Sequence, residues 1–270
     1  MTSATPVRLV AIDVDGTLLT TDHRITPTVA AALARVRARG VTVVLTTSRP
    51  PRAVWPILFE LGMVEPEVFI ASQGALTGSY TESGELWVTD RQPMPVGPAR
   101  AVCAAGASAG LAVSWFAGER WLVPVVDDRI RQEAAVVGCF PQVADLSVAT
   151  EAPDKILLLG PPTTPGSDLA GTVAVPVGLV GFASTPTHLE ITRSDVGKSA
   201  ALVRLCSHLG VRPAEVAAIG DGRNDLGMLS VAGVSVAPAN AHPDVLAAAD
   251  VITSSNDDDG VAHALDQLVP

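Results

Sequence analysis

Asp13 and Asp15 stand one residue apart in the stretch Leu-Val-Ala-Ile-Asp-Val-Asp-Gly-Thr-Leu-Leu, residues 9–19. An apolar run that ends in polar residues and Gly16 predicts a buried strand followed by a turn. Side chains two apart on a strand share a face, so both carboxylates could point into one small volume. Like charges held that close raise one another's pKa, and a cation between them offsets the cost. Such a pair suits a hard cation, a nucleophile with its acid/base partner, or both.

Four more predicted strand or helix ends carry polar residues. Thr46-Thr47-Ser48-Arg49 offers hydroxyls and a guanidinium, and Ser72-Gln73-Gly74-Ala75 a hydroxyl and an amide. Gly197-Lys198-Ser199 opens a helix, and Gly220-Asp221-Gly222-Arg223-Asn224-Asp225 links a strand to a helix with two carboxylates four apart. Alone, Asp221 and Asp225 also fit a helix cap and a solvated first-turn charge. Carboxylates, hydroxyls, a lysine and helix-opening glycines together suit a phosphate group and an oxygen-seeking cation.

The elements that must position these residues alternate. Val7–Ile12, Val41–Thr46 and Val68–Ala71 read as strands, with helices over Pro27–Arg39 and Pro51–Leu61. Alternation returns after Lys198, with strands at Val216–Ile219, Val234–Val236 and Val251–Thr253 between helices. The pattern predicts an α/β fold, a parallel sheet flanked by helices, which binds ligands at the carboxyl ends of its strands. The middle differs. A connector at Pro93–Pro98, a helix over Ala99–Ala109, a hairpin of Ala112–Phe116 and Arg120–Val125, a helix over Val126–Val137, a strand at Lys155–Leu159 and a loop at Pro161–Gly166 read as an inserted α+β unit. Residues 93–187 are assigned to it, and 1–92 with 188–270 to a discontinuous core.

Composition removes several classes of function. The net charge is −10, and no basic block is present, which argues against nucleic-acid and anionic-membrane partners. Cys103, Cys139 and Cys206 are far apart and form no metal-ligand pair, so buried free thiols in a reducing cytoplasm are expected. The uncharged stretch from Ala101 to Gly118 is Ala- and Gly-rich and reads as a helix, a stop and a strand rather than a membrane span.

The order and spacing of these motifs resemble the haloacid dehalogenase (HAD) superfamily, in its Cof-like (type IIB) sugar-phosphatase branch, over nearly the whole chain. The resemblance implies a Rossmann-like core with an inserted cap of the C2B type. It implies Asp13 as the nucleophile that takes the phosphoryl group and Asp15 as general acid/base. Thr47 becomes the hydroxyl on the phosphoryl oxygens and Lys198 the neutralising ammonium. It implies Mg²⁺ held by Asp13, the Asp15 backbone carbonyl and Asp221, with Asp225 orienting a metal-bound water. Gly16, Ser48, Gln73, Gly74 and Asn240 fall at substrate-binding positions, Asn224 supports the metal loop, and Arg49 is expected to hold its loop by ion pairing. Two positions depart from the family pattern: Ser48 stands where glycine is usual and Gln73 where asparagine is usual.

These observations converge on a Mg²⁺-dependent phosphomonoesterase for a small phosphorylated metabolite, cytoplasmic, a monomer or small homo-oligomer. Trp115, Arg120, Trp121 and His188 are candidate cap residues for reading the substrate, although the tryptophans also fit hairpin packing. Of 18 basic residues only Lys155 and Lys198 are lysines. A compact ammonium is what position 198 requires, whereas Lys155 reads as a solvated strand end. A phosphomutase of the phosphomannomutase type and a non-catalytic regulatory binding protein are the competing readings. Isomerised sugar phosphate in place of free phosphate would mark the first, and the intact set of acidic and basic residues argues against the second.

Overall fold

Apolar runs bounded by glycine, proline and polar residues become the strands of two sheets in the computed structural model, which describes residues 6–161, 169 and 171–269. The first part runs β1 (Leu9–Asp13), α1 (Pro27–Ala38), β2 (Thr42–Thr46), α2 (Pro51–Glu60), β3 (Phe69–Ala71), β4 (Leu76–Tyr80) and β5 (Leu86–Arg91). The middle runs α3 (Val96–Ser108), β6 (Ala112–Ala117), β7 (Arg120–Val123), α4 (Asp128–Val137), β8 (Gln142–Val143), β9 (Lys155–Leu159), β10 (Leu179–Thr185) and β11 (His188–Arg193). The last part runs α5 (Lys198–Leu209), β12 (Val216–Ile219), α6 (Leu226–Val231), β13 (Val234–Pro238), α7 (Pro243–Ala248), β14 (Val251–Thr253) and α8 (Gly260–Leu268).

The core sheet has the order β14-β13-β12-β1-β2-β3-β4-β5 and is parallel from β14 to β3. Its strand β1 is apolar up to Asp13 because both its faces are covered. Val10 and Ile12 pack with Leu33 of α1 and Leu265 of α8, while Leu9 and Ala11 pack with Leu202 and Leu205 of α5 on the other face. Parallel register sets Asp13 opposite Thr46 and Ile12 opposite Ile219. The ends of β1, β2 and β12 therefore share one rim, which is why motifs some 200 residues apart in the chain meet there.

The second sheet, β10-β11-β9-β6-β7-β8, carries α3 packed on one face and α4 on the other. Three expectations change here. The chain from Leu76 to Arg91 forms the antiparallel pair β4–β5, which extends the core sheet where no strand was predicted. Strand β11, which the sequence assignment put in the core, pairs with β9 and β10 in the second sheet, so a core boundary at residue 188 falls too early. Lys155 is buried, paired with Glu190 and donating to the Ser48 carbonyl, not a solvated strand end. Residues 162–166 of the expected Pro161–Gly166 loop lie outside the described residues. Among the described residues no helix is long and apolar enough to cross a membrane, and the three cysteines are buried and free.

A buried ion pair ties the root of the inserted unit to the core. Arg91, at the end of β5, donates from Nε to Asp154 Oδ1 at 2.7 Å, and Asp154 Oδ2 accepts from Gly118 N at 2.6 Å. Asp154 is wholly buried, and that burial pushes its pKa up against the opposing pull of Arg91. Arg91→Met should strand this carboxylate. The expected loss is about 3 kcal/mol in denaturant unfolding, the low end for a broken buried pair because Arg91 is partly exposed. A loss below about 1 kcal/mol would contradict this reading of the pair.

Candidate active site

Three carboxylates and one ammonium occupy the rim where β1 and β12 end. Lys198, the first residue of α5, donates from Nζ to Asp13 Oδ1 and, at 2.7 Å, to Asp225 Oδ1. Asp225 Oδ2 accepts from Gly222 N at 2.9 Å, so both its oxygens are engaged. Asp221 Oδ1 accepts from the Thr17 hydroxyl at 2.7 Å. Ligand oxygens of Asp13, Asp221 and Asp225 lie within 4.8 Å of one another. Gly16 turns the chain beside them with φ +79°, and a Cβ there would come 2.5 Å from Asp221 Oδ2. Glycine is required both by the backbone conformation and by the approach of Asp221.

The electrostatics of this cluster are unbalanced. Burial pushes the Asp13 pKa well up, and the Asp225 charge adds to the rise, with Lys198 opposing. Burial also raises Asp221, with the Thr17 hydroxyl opposing and Asp225 adding. Burial works against the Lys198 ammonium, yet Asp13 and Asp225 hold its pKa above the ordinary lysine value. One ammonium does not neutralise three carboxylates. Asp13 Oδ2 and Asp221 Oδ2 receive no N–H or hydroxyl donor among the described residues. Two free carboxylate oxygens in a negative, buried space fit a hard divalent cation such as Mg²⁺. Asp225 fits an orienting part better than a direct ligand.

Asp15 points away from this cluster. Its carboxylate is held in a two-pronged pair by Arg49, at 2.8 Å from Nε and 2.6 Å from Nη2, and is 39% exposed. The Arg49 pKa is raised by this pair against the effect of burial. Thr47 is buried, and its Oγ1 accepts from Arg49 N at 3.0 Å, leaving its own proton to donate. Ser72, Gln73 and Gly74 have consecutive positive φ values of 51°, 59° and 92°. Such strain in non-glycine residues persists where packing over-determines it. Here Gln73 N is held by Thr47 O, and a Cβ on Gly74 would sit 2.3 Å from Gly197 O, next to Lys198.

A cavity of about 710 Å³ lies between the core rim and the inserted unit. Asp13, Asp15, Gly16, Ser48, Asp221 and Asp225 border it from the core, and His188 from the second sheet. Gln73, Gly74, Thr47 and Asn240 do not. Gln73 reaches past the rim to Glu190 at 3.3 Å and takes Asn224 Nδ2 at 3.4 Å, a bridge that its extra methylene allows. Asn240 donates to Gly16 O and accepts from Asn256 N, bracing the turn after β1. Trp115 and Trp121 are buried packing residues whose Nε1 atoms have no partner, and Arg120 points to solvent, paired with Glu151. None of these three borders the cavity.

Residues with chemistry at the cavity that the sequence reading did not place there include Glu133, Glu190, Lys155, Arg129 and His23. Glu190 had a signal, a charged residue inside the apolar strand Leu-Glu-Ile. Lys155 had one too, since both lysines of an arginine-preferring chain are buried ion-paired residues. Glu133 and Arg129 lie on a mostly exposed amphipathic helix and give no sign in sequence.

Known proteins share this arrangement of chain. The family model for haloacid dehalogenase-like hydrolases matches residues 10–265. The Bacillus subtilis protein YxeH, which bears a provisional phosphatase name, is 33% identical over 97% of this chain and 98% of its own. An HMP-PP phosphatase of Cronobacter sakazakii is 30% identical over 89% of this chain and 87% of its own. A crystal structure of a haloacid dehalogenase-like hydrolase from Bacteroides thetaiotaomicron, 28% identical, covers 97% of this chain and 99% of that one with a TM-score of 0.82. The chain belongs to the haloacid dehalogenase-like hydrolase family. Within it, this is an enzyme of the phosphatase type, with a Rossmann-like core and an inserted cap.

Lys198→Met tests the charge balance without reference to turnover. Removing one member of a buried pair leaves its partners uncompensated, so unfolding in EDTA should show a loss of about 3–5 kcal/mol. A loss under about 1 kcal/mol would mean that Asp13 and Asp225 do not need the ammonium.

Proposed function

We propose that this phosphatase hydrolyses the phosphomonoester of a small metabolite through an aspartyl phosphate on Asp13, with Mg²⁺ as cofactor. The observation that carries the proposal is the buried Asp13–Lys198–Asp225 cluster, with Asp221 in reach, at the floor of the cavity. An Asp13 oxygen attacks phosphorus, and the ester oxygen leaves with a proton from Asp15. Asp15 then takes a proton from water, whose oxygen attacks phosphorus, releases phosphate and frees Asp13. Asp13 and Asp221 would hold the Mg²⁺, which offsets the charge of the phosphoryl oxygens against the carboxylate nucleophile.

The other side chains have supporting parts in this reading. Lys198 opposes the rise in the Asp13 pKa, aims its carboxylate and adds positive charge where the phosphoryl group builds up negative charge. The Thr47 hydroxyl keeps its own proton to donate, although the residue stands behind the cavity wall in this structure. Arg49 keeps Asp15 turned out of the floor, so its grip must open before Asp15 can carry a proton to the leaving group. The cap excludes bulk water during transfer.

Phosphate release across a panel of metabolites should require Mg²⁺ and stop in EDTA. Asp13→Asn should lose at least about 10⁴-fold in kcat with an unchanged circular dichroism spectrum. Full turnover without metal, or in that variant, would refute the assignment. Asp15→Asn should slow alkyl phosphates about 10²–10⁴-fold and p-nitrophenyl phosphate much less, since its leaving group needs no proton. Equal losses on both would remove the acid role.

A further inference from the structure

The upper wall of the cavity has a charge pattern of its own. Every lysine and arginine that borders the cavity is already held by the protein. Arg49 grips Asp15. Arg129 gives Nε and Nη2 to Asp127, and Nη1 to the carbonyls of Gly110 and Leu159 at 2.9 and 3.1 Å. Lys155 gives its ammonium to Glu190 at 3.0 Å and to Ser48 O at 2.7 Å. No other Lys or Arg borders the cavity among the described residues, and residues 1–5, 162–168, 170 and 270 contain neither, nor histidine.

Acceptors, by contrast, are in excess. Glu133 Oε2 faces His188 Nε2 at 3.1 Å. A carboxylate only accepts, so that nitrogen carries the proton. His188 Nδ1 faces the hydroxyls of Thr185 and Thr187 at 2.8 and 2.9 Å, which fixes the ring. Glu190 uses Oε2 for both Lys155 and Gln73. The Oε1 atoms of Glu133 and Glu190 receive no donor among the described residues, in two side chains that border the cavity. Glu190 is more than nine-tenths buried, so the unused acceptor faces the cavity or nothing. Val136, Leu157 and Leu159 add an apolar strip beside them.

We propose that Glu133 and Glu190 make this wall a reader of the leaving group, accepting hydrogen bonds from hydroxyls or an amine and turning away phosphomonoesters whose leaving group carries a second anion. The inference rests on the phosphatase reading above and extends it to substrate class. Hydroxyl or ammonium donors satisfy the free carboxylate oxygens, while the apolar strip covers a carbon skeleton. A second phosphate or a carboxylate would meet these glutamates in a space where no lysine or arginine is free to pair with it. Like charges juxtaposed in such a site are strongly disfavoured, and discrimination of this kind comes from the repulsive element. A leaving group that is itself a phosphate ester, as in a diphosphate substrate, belongs to the rejected class.

Matched substrate pairs test the proposal. Glucose 6-phosphate and glucosamine 6-phosphate are compared with 6-phosphogluconate, and glycerol 3-phosphate with 3-phosphoglycerate. The members lacking a second anion should have kcat/KM at least about tenfold higher, and Glu133→Gln should shrink that ratio several-fold. Equal or better turnover of the carboxylated members would overturn the proposal, as would an unchanged ratio in a folded Glu133→Gln. Mg²⁺-dependent hydrolysis of p-nitrophenyl phosphate is the separate control for the phosphatase reading. Should that control fail, calorimetric binding of the same pairs to the full-length protein still decides: at least about tenfold tighter binding of the members lacking a second anion supports the wall's role, and equal binding overturns it.

Discussion

The ammonium of Lys198, buried between Asp13 and Asp225, is the interaction on which the rest of the site depends. Buried carboxylates are tolerated when paired and strongly disfavoured when alone. Without Lys198 the end of β1 could not carry an ionised Asp13 inside the protein. The fold provides for that ammonium from several directions. Parallel pairing of β1 with β12 brings Asp13 and the Asp221–Asp225 loop to one rim. Gly74 lets its loop close against the backbone that precedes Lys198, and Gly16 leaves room for Asp221. The remaining negative charge is what makes the place fit for a divalent cation.

A second lysine pair serves the other side of the cavity. Lys155 and Glu190 come from the cap, yet Lys155 holds the Ser48 carbonyl and Glu190 holds Gln73, both in core loops. Gln73 in turn takes Asn224 from the Asp221–Asp225 loop. Cap and core are therefore joined through the very loops that carry Thr47, Arg49 and Asp225. Tyr80 to Glu119, and Ala53 packed among cap residues, add contacts of an ordinary kind. The seating of the cap and the shape of the phosphoryl end are physically one arrangement.

The core of this arrangement was legible in the sequence because its signals are local. An apolar run ending in Asp-x-Asp-Gly, a helix opening on Gly-Lys and a Gly-Asp loop after a strand each fix their own geometry. Parallel pairing then assembles them. What was not legible depends on long-range packing. Leu76–Tyr80 and Leu86–Arg91 pair because an edge of the core sheet is free, which no local pattern states. Trp115 looks like a reader of ligands in sequence, but the alternation of β6 turns it into the cap core. Gln73 stands where asparagine is usual, and its added reach spans to the cap. Glu133 became visible only when α4 was placed over the rim.

Borohydride quenching during turnover tests the central claim most directly. An acyl phosphate on a carboxylate is reduced to a primary alcohol with loss of phosphate, which converts an aspartate to homoserine. Peptide mass spectrometry of enzyme quenched with substrate and Mg²⁺ should find homoserine at position 13, and none when substrate is omitted. Homoserine at another aspartate, or at none while phosphate is being released, would contradict the account of Asp13 held by Lys198 as the nucleophile.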